Sequence, residues 1–303
     1  MNIIFFGTPN FVVPVLEALN KRYDVIGVVT APDKKVGRHN ILTPSPVKQF
    51  ALEHNIPVWE MGNGKWKMEN GKADLFVVAA YGKIIPQSIL DLPKYGAINI
   101  HPSILPKYRG PSPITQTLLN GDRESAISIM KLDEQMDHGP LLKMIPYSIP
   151  EEATAEQLTQ AMFQKSAEIL PEVIDDYVAG KIKPTDQKHD EATYTHMVTK
   201  QDGYIDLSSL ERLNSLEIGN WKLEIARKIR AYYPWPTVWS RIVIARPQSG
   251  EAISSTQEKI IKFLPEKRVQ LEGGKPMNMK DFSNGYPELR ATIKGLLQTN
   301  AIT

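Results

Sequence analysis

The chain carries Asn99-Ile-His-Pro-Ser-Ile-Leu-Pro106 and, further along, Met136-Asp-His-Gly139. Together these segments supply an amide, an imidazole and a carboxylate, a set suited to acyl transfer onto an amine. Such a reaction must take a proton from the amine, stabilise a developing oxyanion and return a proton to the leaving group. The Asn99 amide can donate to the oxyanion. The His101 imidazole can take the proton or polarise the carbonyl. The Asp137 carboxylate can hold the imidazole and relay protons through water. If the amine attacks directly, no serine or cysteine nucleophile is needed, and the chain contains no cysteine.

This chemistry depends on elements that hold the three groups together. Asn99 and His101 are two residues apart. In a strand over 95–101 both leave the same face, roughly 7 Å apart. Pro102 ends the ladder because it has no N–H to donate. His101 therefore falls at the carboxyl end of a strand, where open α/β sheets carry their ligand sites. Asp137 follows a strand over 125–132, in a turn of the kind where acidic residues ordinarily serve as surface turn formers. His138 is the rival of His101, with an exposed turn residue as its plain reading. His39, His54, His189 and His196 have no comparable partners nearby in sequence. No histidine pair has metal-ligand spacing, so no metal is expected.

Apolar patterning places the remaining elements. Strands are expected at 2–6, 25–30, 75–80, 95–101, 125–132 and 141–148. Helices are expected at 11–21, 47–54 and 112–120. The run Leu75–Ala80 reads as a strand covered on both faces. Strands separated by helices predict an α/β, Rossmann-like, mostly parallel sheet with right-handed crossovers. The first turn, Gly7-Thr8-Pro9-Asn10-Phe11, has one glycine where a dinucleotide fold has three, and Pro9 removes a donor, so a nicotinamide cofactor is not expected. Residues 32–46 read as a loop, because Pro32, Gly37, Pro44 and Pro46 oppose regular structure. Residues 61–71 read as an exposed connection. A long amphipathic helix spans 154–178, with Thr154 as N-cap. After it comes a polar linker, then a helix near 217–231 and strand-like runs at 237–244, 259–264 and 268–272. That pattern predicts a small, mainly β second domain. The expected division is a catalytic domain over 1–182, a linker over 183–203 and a C-terminal domain over 204–303.

The composition is that of an ordinary globular protein, 42% hydrophobic and 23% charged over 303 residues. The first residues, Met1 to Gly7, form a short apolar run without a basic flank, which reads as a buried strand and not a signal peptide. No run approaches the ~18–20 apolar residues of a membrane span. A cytoplasmic enzyme or binding protein is the default. The net charge of +2 hides an asymmetry: residues 1–199 hold 20 Lys+Arg against 23 Asp+Glu, and residues 200–303 hold 16 against 11. A mildly basic C-terminal third fits contact with a polyanion.

The set Asn99, His101, Asp137 resembles the signature of the 10-formyltetrahydrofolate-dependent formyltransferases. Further segments narrow the resemblance to the branch that acts on methionyl-tRNA: Phe6-Gly-Thr-Pro-Asn-Phe11, Pro44-Ser-Pro-Val-Lys48, Ala80-Tyr-Gly-Lys83, Arg109-Gly-Pro-Ser-Pro-Ile114, Ala192-Thr-Tyr194 and Ile229-Arg-Ala-Tyr-Tyr-Pro-Trp-Pro236. They occur in the family's order. The resemblance implies transfer of a formyl group from 10-formyltetrahydrofolate to the α-amine of methionine on initiator tRNA. It implies that Asn99 binds the formyl oxygen, that His101 assists proton transfer and that Asp137 orients His101 and a water. It implies a folate pocket lined by Lys83, Ile84, Ile85, Ser103, Leu132, Asp133 and Met136. It implies tRNA contacts from Arg38 in the loop 32–46, Lys48, Arg109 and Arg230, and a C-terminal domain built as a small OB-like β-barrel. Phosphate contacts of this kind position an RNA without reading its sequence. No metal and no membrane are implied, and a monomer is the expectation.

The chain departs from the family pattern at three places. Met136-Asp-His-Gly-Pro140 stands where the family usually has Leu-Asp-Thr-Gly-Asp, which puts a titratable His138 beside the carboxylate. Gly37-Arg-His-Asn-Ile-Leu42 is less basic than the usual Gly-Arg-Gly-Lys-Lys form. Residues 61–72 are unlike the family there. A sugar-nucleotide N-formyltransferase would share the three groups but lack the Pro44–Lys48 and Tyr233–Pro236 segments. A non-catalytic relative would not be expected to keep all three.

Overall fold

The computed structural model describes residues 1–37, 40–60, 73–207, 215–246 and 255–289. In chain order, the elements through the long helix are β1 (Asn2–Gly7), α1 (Val13–Arg22), β2 (Asp24–Thr30), β3 (Lys34–Val36), β4 (Ile41–Thr43), α2 (Pro46–Glu53), β5 (Val58–Glu60), β6 (Leu75–Ala79), α3 (Gln87–Leu90), β7 (Ala97–His101), α4 (Pro113–Asn120), β8 (Glu124–Lys131), β9 (Leu141–Ser148) and α5 (Ala155–Val178). The remainder are α6 (Ser215–Ala231), β10 (Val238–Arg246), β11 (Ser255–Leu264), β12 (Arg268–Leu271), β13 (Met277–Asn278) and α7 (Met279–Gly285).

The chain divides into two units. The first gathers Met1–Pro113, Glu124–Ser148 and Thr159–His196, and the second Ile114–Arg123, Ile149–Leu158 and Met197–Thr303. The first is built on a seven-stranded sheet in the order β5-β2-β1-β6-β7-β8-β9. Its interior strand β1 is buried on both faces, with Ile3, Ile4, Phe5 and Phe6 excluded from water. Strands β5 through β7 run parallel. In β1–β6 and β6–β7, Phe6 pairs with Val78, Ile4 with Phe76, Phe76 with Ala97 and Val78 with Asn99. These side chains line one face, and the alternation of the strand carries Asn99 and His101 onto it. Tyr81, Ile85, Leu90 and Leu132 pack over its apolar part.

Two features of this unit were not evident from apolar patterning. The sheet is mostly parallel, as strand–helix alternation predicts, but its last two strands, β8 and β9, are antiparallel. Pattern encodes which faces are buried and not the end at which a connection delivers the chain. Within the expected loop 32–46, β3 and β4 form a short antiparallel ladder closed by a turn in which the Asn40 N–H donates to the Gly37 carbonyl. Here Gly37 and Asn40, both of types that tolerate positive φ, reverse the chain. The expected connection at 61–71 lies outside the described residues.

Local sequence explains the main helix starts. At α2, Ser45 accepts from the Lys48 N–H, with Pro46 at the first helical position. At α5, Thr154 and Gln157 exchange hydrogen bonds as a reciprocal cap. The second unit pairs β10, β11, β12 and β13 in one antiparallel sheet. Its core joins Ile225 and Ile229 of α6 to Val238, Ile242, Ile261, Phe263, Val269 and Leu271 of the strands and Phe282 of α7. No helix among the described residues is long and apolar enough to cross a membrane.

Candidate active site

Three segments converge on the carboxyl end of β7. The first is β7 itself, with Asn99 opposite Met130 and His101 opposite Ser128 of β8. Pro102 stops the ladder, and the chain folds back through tight turns in which Ser103 N–H donates to the His101 carbonyl and Lys107 N–H to the Ile104 carbonyl. Ser103 is fully buried. Its hydroxyl donates to the Lys107 carbonyl at 2.7 Å, and its own carbonyl accepts from Ser128 Oγ at 2.7 Å. The returning loop delivers the Tyr108 carbonyl to His101 Nε2 at 2.9 Å. A carbonyl only accepts, so Nε2 carries the proton and Nδ1 is the nitrogen left open.

The second segment is the turn after β8. There Asp133 Oδ1 accepts from the Gln135 N–H, and Asp137 adopts φ +48°. A non-glycine residue rests in this region only where its surroundings hold it, and Asp is among the types that tolerate it. Asp137 Oδ2 accepts from the Gly110 N–H at 2.7 Å and lies 3.5 Å from His101 Nδ1, while Oδ1 faces Asn99 Nδ2 at 3.4 Å. The two longer separations exceed an ordinary hydrogen bond, a common state for reacting groups before substrate draws them together. His101 and Asp137 keep only 5% and 13% of their side-chain surface in water. The open nitrogen of His101 and the carboxylate are both acceptors, so the space between them is a site for one proton. Asn99 directs one amide proton at Asp137 and retains another for a ligand oxygen.

The third segment is the polar stretch after α5. Arg109 N–H donates to the Thr193 carbonyl, and the Thr195 N–H donates to the Arg109 carbonyl, so residues 193–195 run beside the loop as a short parallel bridge. Gly110, at φ +110°, is pressed against this bridge, where a Cβ would meet the Thr195 carbonyl oxygen at 2.8 Å. That close approach aims the Gly110 N–H at Asp137. Arg109 itself is 1% exposed. Its guanidinium donates to Gln187 Oε1, to His189 Nδ1 at 2.8 Å and to the Tyr194 hydroxyl. His189 Nδ1 is therefore an acceptor, and its ring lies flat on His138 with centroids 3.9 Å apart. His138 donates from Nδ1 to Asp133 Oδ2 at 2.8 Å. The hydrogen bond of this titratable neighbour thus goes to Asp133 and not to Asp137.

The expected pocket residues fall in several settings. Ile85 and Leu132 pack on the sheet face that carries Asn99, whereas Ile84 is 81% exposed beside an exposed Lys83. The exposed Met136 brings its sulfur near Gly110. Burial pushes the Tyr81 phenol above its usual range, and its hydroxyl has no hydrogen-bond partner among the described residues. Of the residues expected to meet RNA, Arg38 lies outside the described residues. Lys48 sits between Asp33 and Glu60, 2.7 Å from each, and these bonds raise its pKa. Arg230 is half-buried in the last turn of α6. Arg109 is buried, which makes it an internal strut and removes it from direct contact with a bound RNA. Tyr108 and Gly110 belong to the rigid, polar-tipped segment Tyr108–Pro111, whose sequence suits a site wall, but nothing in local periodicity marks Gln187 as a site residue.

Residues 1–174, more than half of the chain, match the formyl transferase family. The methionyl-tRNA formyltransferase of Roseiflexus sp. (strain RS-1) is 39% identical over 81% of this chain and 77% of its own length. That of Caldanaerobacter subterraneus subsp. tengcongensis is 35% identical over 97% of this chain and 99% of its own. Among solved structures, a 4-N formyltransferase from Francisella tularensis superposes with a TM-score of 0.58 at 18% identity, covering 79% of this chain and 91% of that one. A sugar 3N-formyl transferase crystallised with dTDP and 5-N-formyl-THF gives 0.54 at 18% identity, covering 86% and 93%. At that identity the two structures speak to the fold alone.

Proposed function

We propose, since the chain belongs to the methionyl-tRNA formyltransferases of the formyl transferase family, that it moves the formyl group of 10-formyltetrahydrofolate onto the α-amine of methionine carried by initiator tRNA. The observation that carries this reading is the convergence of Asn99, His101 and Asp137 at one strand end, in a chain related over most of its length to enzymes of that name. The amine attacks the formyl carbon as the carbonyl π pair moves onto oxygen. Asn99 Nδ2 offers that oxygen its free proton, as an oxyanion donor. The proton released by the nitrogen enters the space between His101 Nδ1 and Asp137. From there it passes to the folate nitrogen as the carbon–nitrogen bond breaks, leaving formyl-methionyl-tRNA and tetrahydrofolate. Tyr108 and Gly110 keep His101 and Asp137 facing that space.

The folate is read as lying along residues 83–85, 132–133 and 136, at the edge of the apolar cluster that holds Phe76, Val78 and Ala97. The unpartnered Tyr81 hydroxyl and exposed Ile84 sit at this end of β6. Arg38, Lys48 and Arg230 are the proposed phosphate contacts. At Lys48 a phosphate has to compete with two carboxylates. The test incubates the protein with 10-formyltetrahydrofolate and either methionyl-initiator tRNA or an amino-sugar nucleotide. Formyl-methionyl-tRNA is the expected product. A formylated amino sugar, with methionyl-tRNA left unmodified, overturns the reading.

A further inference from the structure

Gln187 is 5% exposed and lies in the polar stretch after α5. Each of its hydrogen-bonding positions is taken. Oε1 accepts from Arg109 Nε at 3.2 Å and Nη2 at 2.7 Å, while Nε2 donates to the Asp137 carbonyl at 3.0 Å and the Gly139 carbonyl at 2.7 Å. A guanidinium only donates and a backbone carbonyl only accepts, so the amide has one possible orientation. The two carbonyls that it grips flank His138, at the end of the turn that holds Asp137 at φ +48°. Backbone in that region returns to a commoner conformation unless fixed from outside. Arg109, the other side of the clamp, is itself anchored through its N–H and carbonyl to Thr193 and Thr195.

We propose that Gln187 is a positioning residue for formyl transfer. It ties the buried Arg109 to the backbone of the Asp137 turn and so sets the carboxylate against His101 and Asn99. This rests on the reading of Asp137 as a member of the reacting site. Gln187 is not among the groups that face the reacting space, so its contribution is to rate and not to substrate affinity. Glutamine alone fits both sides. A glutamate would satisfy Arg109 but set a lone pair against two carbonyl oxygens. Methionine would satisfy neither side and leave the buried Arg109 with only His189 and Tyr194 as side-chain acceptors.

The test compares wild type, Gln187→Glu and Asp137→Asn in steady-state formylation of methionyl-tRNA, with thermal melting alongside. For Gln187→Glu, kcat is expected to fall about 10- to 100-fold with KM for both substrates nearly unchanged, because a misplaced group costs rate before affinity. The melting temperature falls as well, since two buried carbonyls lose their donor, and the kinetics are read well below it. A kcat within twofold of wild type overturns the inference, and so does a loss that appears in KM instead. Should Gln187→Glu not fold, the wild-type protein still decides. The side-chain amide protons of Gln187 should exchange with solvent at least about tenfold more slowly than those of exposed glutamines, and equal rates overturn the clamp. A fully active Asp137→Asn overturns the role of Asp137 itself. An inactive Asp137→Asn beside a wild-type rate for Gln187→Glu overturns only the inference about Gln187.

Discussion

His101 illustrates how a single contact assigns chemistry to one atom of a side chain. The Tyr108 carbonyl occupies Nε2, so in the proposed reaction the proton moves through Nδ1 and the neighbouring Asp137. His101→Ala should therefore lower kcat by ~10²-fold or more while leaving tRNA affinity nearly unchanged, as removal of a proton carrier does. Steady-state kinetics with a separate binding measurement checks this, and an active alanine variant would remove His101 from the mechanism. Asn99→Asp keeps the shape but loses the donor and adds a negative charge facing Asp137. Its kcat should fall by about 10²–10³, the cost of losing one oxyanion donor. Asn99 and His101 were legible in the sequence because a strand's alternation sends residues two apart to one face. Gln187 was not, because its partners Arg109, Asp137 and Gly139 are far from it in the chain and its segment has no periodicity.

Among the elements, the turn between β8 and β9 is the most constrained. Lys131 N–H donates to the Pro140 carbonyl at 2.9 Å, and a Cβ on Gly139 would stand 2.0 Å from the Lys131 carbonyl oxygen. Gly139→Ala must push two backbone segments apart, at about 1–3 kcal/mol of stability. Because the same turn carries Asp137, activity should fall more steeply than stability when both are measured. A second test concerns the docking of α1 on α5. Asp175 accepts from the Tyr23 hydroxyl at 2.7 Å and pairs with Arg22. The Tyr23 hydrogen bond first, and Arg22 with it, holds the Asp175 carboxyl below its usual range. A group lowered in this way stabilises the fold above its unfolded pKa, about 4, and that stabilisation is lost as the pH falls through the lower folded value. Asp175→Asn should thus melt below wild type at pH 7, and the gap should close as the pH drops below about 4. A gap that does not change with pH would assign the effect to lost packing. Helices α1, α2, α4, α5 and α6 and most strands were legible from their apolar period, whereas α3 and α7 are too short to show one. The β3–β4 ladder and the antiparallel β8–β9 edge were not, since both depend on chain direction.

At the scale of the whole molecule the charge is uneven. Residues 200–303 carry 16 basic against 11 acidic side chains, and the rest of the chain is slightly acidic. An RNA held by phosphate contacts releases counterions, so its apparent affinity falls with salt in proportion to the contacts made. KM for methionyl-tRNA should climb steeply with salt while KM for the folate changes little. Arg38→Ala should flatten the tRNA slope by about one contact's worth, leaving the rate on bound tRNA in place. An unchanged slope would assign that contact to another residue. Arg109 does not belong in this set, because its guanidinium is committed to Gln187, His189 and Tyr194 inside the first unit.

By itself the sequence marked Asn99, His101 and Asp137 as the candidate reacting groups and determined the strand that presents two of them, the alternation that builds the sheet and the family to which these segments point. All of these rest on local spacing or on residue types that sequence displays directly. Only the tertiary structure decided which nitrogen of His101 is open, that Asp137 is held in a left-handed turn, and that a polar stretch after α5 returns to bury Arg109 and Gln187. Each depends on hydrogen bonds between segments far apart in the chain. Such bonds need a complementary donor and acceptor brought to about 3 Å, and no pattern along one segment specifies the other.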